Sequence, residues 1–210
     1  LAAARLQSLL TRRGVRFGRS ARTGGAPGDA LDVLATDRSP TIGRLIRDTN
    51  QPSDNFYAEM LMKLVGSEEA DGAPATTAGG AAAVTRAMVE LGLRPLIADG
   101  SGLSRRNRTT ARQVVTLLKA MRDGEEATPW LASLTVAGRN GTLRRRMRGT
   151  PAQDRCRGKT GTLRGVSALS GYCTTSSGRV VAFSFIENGV GGGAKSVEDR
   201  MVAAVARYTP

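Results

Sequence analysis

Histidine is absent from the 210 residues, and cysteine occurs only twice, as Cys156 and Cys173. The first absence excludes any mechanism that turns on an imidazole base or an imidazole metal ligand. Two cysteines without histidine are also too few for a structural zinc site, which takes four nitrogen or sulfur ligands. Aromatic residues make up 4% of the chain. No run of about 18 apolar residues occurs, the length at which a membrane-spanning helix is read. No secretory leader pattern opens the chain. It starts at Leu1, inside a helix-like stretch and without Met, so it is expected to be part of a longer polypeptide, and the missing leader says little about compartment. Lysine is scarce as well: 4 lysines stand against 27 arginines.

The length suits one large domain or two small ones, and 40% hydrophobic residues allow a sizeable core. A net charge of +13 points to polyanions: nucleic acid, anionic membrane or cell-wall polymer. The arginine excess also has a bland source in codon composition. The basic run Arg144–Arg148 (RRRMR) lacks interleaved aromatics and any nucleic-acid-binding motif. It reads as a solvated or wall-facing patch, and no nucleic-acid partner is expected.

Apolar spacing predicts helices over 2–13, from Ser39-Pro40 through Asp48, from the SDN segment to Gly66, and over Thr76–Leu91, Thr109–Met121 and Pro129–Leu134. Short strands are expected at Val15–Arg19 and Leu31–Ala35, with loops at Gly24–Asp29 and 67–75. A glycine turn is expected at 97–104. The tail reads differently. Strands over 155–160, 166–174 and 179–187 are separated by turns at Leu163–Gly165 and Ser176–Gly178. A flexible loop at Gly189–Gly193 and a closing amphipathic helix, Ala194–Tyr208, follow. Helices come first and an antiparallel meander last, so the fold class is α/β of the α+β type, helices packed on an antiparallel sheet. A two-residue turn at Arg164–Gly165 pairs Leu163 with Val166. Counting outward along both strands sets Cys156 opposite Cys173, within reach of a disulfide in an oxidising compartment.

Two short motifs carry candidate chemistry, and each has a bland alternative. Ser53-Asp54-Asn55 follows Pro52 and precedes a helix, where Ser and Asp commonly cap the free N–H groups. If the segment faces a cleft instead, the Ser53 hydroxyl can relay a proton and the Asn55 amide can hold a carbonyl. Lys159-Thr160-Gly161 lies on an expected strand, where a solvated edge lysine is common. If that strand lines a cleft, Gly161 lets an extended ligand pair with the backbone. Lys159 then supplies a cation for a carboxylate, and Thr160 and Thr162 supply hydroxyls. Each triplet alone arises by chance in about a few per cent of chains this long. Together, in this order and on these elements, they are far rarer. They are two of the three motifs of penicillin-binding proteins and serine β-lactamases.

The segments PSDNFYAEMLMKLVG, DGSGLSRRN, VAGRNGTLRRRM and GKTGTLRGVSALSGYCTTSSGRVVAFSF resemble low-molecular-mass penicillin-binding proteins. The closest type is the D-alanyl-D-alanine carboxypeptidase/endopeptidase with a domain inserted between its first two motifs. The resemblance covers the chain from about Ala2 to Arg207. It implies a penicillin-binding/serine β-lactamase-like transpeptidase fold, here incomplete. That family's nucleophile lies in S-x-x-K, and no serine of this chain has lysine three residues on. The expectation is therefore that 1–210 is the C-terminal part of a single catalytic domain, with the nucleophile segment and inserted domain upstream.

The resemblance further implies acyl transfer on peptidoglycan stem peptides ending in D-Ala-D-Ala, with β-lactams acylating the same serine, no cofactor, no metal, and an extracytoplasmic location. Ser53 would pass the proton to the leaving amine, Asn55 would orient the substrate amide, and Asp54 would hold the loop. Lys159 would set the local positive potential, Thr160 and Thr162 would bind the terminal carboxylate, and the Thr162 N–H would be an oxyanion donor. The DGSGLS turn would brace the site. The alternative reading is a non-catalytic wall-peptide-binding or inactive fragment. An S-x-x-K upstream in the full gene separates the two.

Overall fold

The computed structural model describes residues 2–22, 24, 35–69 and 74–209. They fall into two compact units, Leu1–Ser39 and Pro40–Pro210. In the first, helix α1 (Ala2–Arg12) is held to its following segment by one side chain. Gln7 donates to the Arg19 carbonyl and accepts from the Ala21 N–H, both at 2.7 Å. Val15–Arg19 is not a strand. Its alternation has no partner strand among the described residues, and Val15 and Phe17 are exposed. The expected loop Gly24–Asp29 and strand Leu31–Ala35 lie outside the described residues, apart from Gly24 and Ala35.

The second unit builds α2 (Ile42–Asn50), α3 (Asn55–Glu69), α4 (Thr77–Glu90), α5 (Ala111–Asp123) and α6 (Ala127–Ser133) before its main sheet. Threonine hydroxyls start three of these helices. Thr41, Thr76 and Thr110 accept from the N–H groups of Arg44, Gly79 and Gln113, respectively, which satisfies donors that the helix itself leaves free. Helix α3 runs past Gly66 to Glu69, beyond the expected stop. Gly66 is a packing residue and not a terminator: a β-carbon there would lie 2.6 Å from the Gly79 carbonyl carbon of α4.

The sheet is antiparallel in the order β1 (Thr135–Val136), β2 (Cys156–Leu163), β3 (Val166–Thr174), β4 (Val180–Asn188). Strand β1, two residues long, was not expected. The β2–β3 register is the expected one, from Leu163↔Val166 to Cys156↔Cys173. The two cysteines are joined as a disulfide, with Cα atoms 4.0 Å apart.

Side chains alternate across a strand, and β3 shows this clearly. Leu169 and Cys173 face one core, built with Leu143, Met147, Phe183, Val202 and Ala206. Tyr172 faces another, with Leu118 and Leu134. Helix α7 (Ala194–Arg207) therefore covers one face of the sheet and α5 and α6 the other, the layering of an α+β fold.

Candidate active site

The turn before α3 separates the two tasks that Ser53-Asp54-Asn55 could perform. Asp54 is the cap: its Oδ1 accepts from the Tyr57 N–H at 2.9 Å. Ser53 is thereby released, and its backbone takes the left-handed conformation, φ 64°, which a β-carbon disfavours. The Asp54 N–H donates to the Thr49 carbonyl at 2.9 Å, and the Thr142 N–H donates to Gln51 O at 3.2 Å, tying the turn to α2 and to the 3-10 turn Gly141–Leu143.

Lys159 is partly buried, and its Nζ donates to Ser53 Oγ at 2.7 Å across 106 residues of sequence. It also donates to the Thr160 carbonyl at 2.9 Å. It is therefore not the solvated edge lysine of the bland reading. Burial pushes its pKa below the ordinary value, because a desolvated ammonium loses hydration.

Strand β1 pairs with β2 only at Arg157 and Gly158. Beyond Gly158 the outer edge of β2 has no strand beside it among the described residues. The Ala137 N–H reaches the Cys156 carbonyl, and Thr135 Oγ1 reaches the Gly158 carbonyl at 2.7 Å. Alternation along an antiparallel strand then turns the backbone groups of Thr160 and Thr162 to the same open side.

Ser53, Asn55, Lys159, Thr160, Gly161 and Thr162 all line one cleft of about 600 Å³. Thr142, from the VAGRNGTLRRRM segment, joins them. Thr160 Oγ1 donates to Thr142 Oγ1 at 2.9 Å, an orienting contact that the motifs did not announce. Ser101, Gly102 and Leu103 form another wall, so the DGSGLS turn lines the cleft as well as bracing it.

That turn is fastened by two carboxylates. Glu59 accepts from the N–H groups of Gly100 (2.8 Å) and Ser101 (3.2 Å) and from the Thr77 hydroxyl (2.5 Å). The Thr77 bond foremost holds the Glu59 pKa below its ordinary value. For Asp99, burial acts upward, but hydrogen bonds from Asn107, the Ser104 and Gly102 N–H groups and Ser101 outweigh it, and the net shift is downward. Gly100 must be glycine, since a β-carbon would come within 2.7 Å of the Ala58 carbonyl and the Met62 side chain.

The basic run 144–148 is not uniformly solvated. Met147 is buried. Arg146 lines the cleft and pairs with Glu198 (2.7 Å) and Asp199 (2.8 Å). Buried Glu198 also accepts from the Ser167 hydroxyl at 2.7 Å. This network joins positions more than 50 apart and has no local pattern in the sequence. Among the described residues no group of three Cys, Asp or Glu side chains could hold a metal ion, and no helix is long and apolar enough to cross a membrane.

Residues 1–208 match the model of the D-Ala-D-Ala carboxypeptidase 3 (S13) family. The chain is 41% identical over 196 residues to a D-alanyl-D-alanine carboxypeptidase from Actinomadura sp. (strain R39), covering 88% of this chain but 36% of that relative's length. The structure superposes on penicillin-binding protein 4 from Haemophilus influenzae, solved with a β-lactam, at TM-score 0.85 and 27% identity, covering 99% of this chain and 51% of that one. A β-lactamase from Sphaerobacter thermophilus matches at TM-score 0.58 and 26% identity, over 82% of this chain and 64% of that one.

Proposed function

This chain belongs to the D-Ala-D-Ala carboxypeptidase 3 (S13) family, and from that we propose that its cleft is the binding half of a serine acyl-transfer site for peptidoglycan stem peptides ending in D-Ala-D-Ala. The observation that carries the reading is the 2.7 Å contact from Lys159 to Ser53 beside a strand edge left open from Lys159 onward.

An extended peptide lies along that edge as an added strand. Its terminal carboxylate meets Lys159 and the hydroxyls of Thr160 and Thr162. The lysine's partial burial strengthens the attraction, since less water screens it. The Asn55 amide orients the substrate amide.

A serine hydroxyl attacks the penultimate carbonyl, and the Thr162 N–H stabilises the oxyanion. The C–N bond breaks, and Ser53, whose oxygen is held by the Lys159 ammonium, passes a proton to the departing nitrogen and is reprotonated by the one the attacking hydroxyl gives up. Water then cleaves the ester, so the net reaction consumes one water and yields a shortened peptide and D-alanine. Where the leaving amine belongs to a second stem, the same steps are an endopeptidase reaction.

The attacking serine is not among these 210 residues, since none is followed by lysine at the third position. We assign it to an S-x-x-K segment elsewhere in the polypeptide. The curated relative above is nearly three times as long as the matched part, which leaves room for one. β-Lactams would acylate that serine. The Cys156–Cys173 disulfide fits an oxidising, extracytoplasmic compartment, where peptidoglycan is found. In this reading residues 1–210 form part of one catalytic domain.

The test is covalent labelling of the full polypeptide by a fluorescent penicillin, with release of D-alanine from a stem pentapeptide. Absence of both would sink the proposal.

A further inference from the structure

The cleft does not end at Thr162. It opens into a second hollow of about 430 Å³, floored by Val190, Gly191 and Gly192. The two spaces share Thr162, Leu163, Val166 and Lys195. A ligand running from Ser53 along β2 would place its terminal carboxylate near Lys159, Thr160 and Thr162. Whatever continues past that carboxylate enters the second hollow at Lys195.

The lining of both spaces carries cations and no acid: Lys159, Arg146 and Lys195 in the first, Arg164 and Lys195 in the second. Arg146 is already neutralised by Glu198 and Asp199, and neither of those lines either space. The charge presented at the junction is thus the Lys195 ammonium. Its backbone is held in place, since Arg146 Nη2 donates to the Lys195 carbonyl at 3.0 Å. Lys195 sits in the first turn of α7, where a cation works against the helix dipole, so helix stability does not account for it.

We propose that Lys195 is a specificity-determining residue that selects leaving groups bearing a second carboxylate beyond the terminal one, as an acidic peptide cross-link would. This rests on the acyl-transfer reading of the cleft. Because Lys195 lines both the cleft and the hollow beyond Thr162, an acidic side chain or a second peptide on the leaving residue extends toward it, whereas free D-alanine carries only the terminal carboxylate.

The test compares two near-isosteric probes, N-acyl-D-Ala-D-Glu and N-acyl-D-Ala-D-Gln, hydrolysed by the full polypeptide. Only the charge on the leaving residue differs. The expected kcat/KM ratio favours the acidic probe by up to about fivefold, what one exposed ion pair supplies. The ratio shrinks as salt is raised. Lys195→Ala brings it to about one, Lys195→Glu inverts it, and Lys195→Arg keeps it. Equal rates on the two probes in the unaltered protein, or a preference that Lys195→Ala leaves in place, overturn the inference and spare the parent reading. Hydrolysis of neither probe by a protein that takes penicillin and releases D-alanine from a stem pentapeptide overturns the inference and spares the parent reading; loss of labelling and D-alanine release as well overturns both.

Discussion

Ser53 carries a cost that its neighbours do not. A left-handed backbone at a non-glycine residue is disfavoured by about 1 kcal/mol or more, and Ser53 holds φ 64° while Asp54 does the capping. Ser53→Gly is therefore expected to raise the melting temperature by the equivalent of about 1 kcal/mol. Ser53→Ala keeps the strain and gives no such gain. Both would remove the proton relay proposed for Ser53, and penicillin acylation in the full polypeptide is then expected to fall by about 10²-fold or more. Thermal melts and stopped-flow labelling read the two effects separately. A Ser53→Gly protein that labels normally would remove the hydroxyl from the mechanism. Lys159, too, carries a stability cost at its place in the cleft. Its folded pKa lies below the ordinary 10.5, so the unfolded chain binds the proton more tightly. The resulting penalty is fully present below the depressed pKa and is relieved as pH rises toward 10.5. Lys159→Met is expected to lose ligand binding without lowering the melting temperature at neutral pH. The residue types of this site were readable from the two triplets. Their division of labour was not, because capping by Asp54 and release of Ser53 depend on a backbone angle that no triplet encodes.

Elements place these residues, and the hairpin β2–β3 places most of them. Its register was readable because a two-residue turn fixes every pair outward from Leu163↔Val166. The disulfide locks that register, closing a separation of 17 residues between two buried sulfurs. Replacing both cysteines by alanine is expected to cost about 3 kcal/mol in a chain-entropy account, read as a lower denaturation midpoint, with reductant giving a similar shift in the unaltered protein. The 97–108 segment depends instead on two carboxylates, Glu59 reaching it from α3 and Asp99 within the segment itself. Both Glu59 and Asp99 have folded pKa values below their ordinary 4.5 and 3.8. Their contribution is therefore present above those ordinary values and lost as pH falls through the depressed ones. Acid is expected to loosen this cleft wall, and Glu59→Gln to flatten the acid limb of a melting-temperature profile; a limb unchanged by that substitution would assign acid sensitivity to other groups. Strand β1 escaped the sequence because two residues have no period. The stop expected at Gly66 failed because a glycine that lets helices touch reads the same as one that ends a helix.

At the scale of the whole molecule, the sheet order leaves the outer edge of β4 unpaired among the described residues. An open edge of nine residues is a surface that natural proteins cover or blunt. The cleft likewise has its cation, its hydroxyls and its open strand edge, but no serine with the S-x-x-K spacing. The matched relative is far longer than the region shared with it. If the acylating serine and the cover for β4 both lie outside these residues, the 210-residue chain by itself has neither the atom that forms the acyl bond nor a complete sheet. It is then expected to take no fluorescent penicillin and to release no D-alanine. It is also expected to melt at a lower temperature than the same residues within the longer polypeptide. Within that longer polypeptide, labelling returns, and Lys159→Ala weakens it by about 10² or more, as the loss of a preorganised charge at a reacting centre does. Ser53 Oγ accepts from a lysine amine in this cleft, which makes it the serine to examine for direct attack. Mass spectrometry of the isolated chain after penicillin treatment decides the matter. An adduct on Ser53 would make Ser53 and Lys159 a nucleophile–base pair, with Ser53 no longer the relay, whereas an unmodified chain leaves attack to a serine supplied from elsewhere.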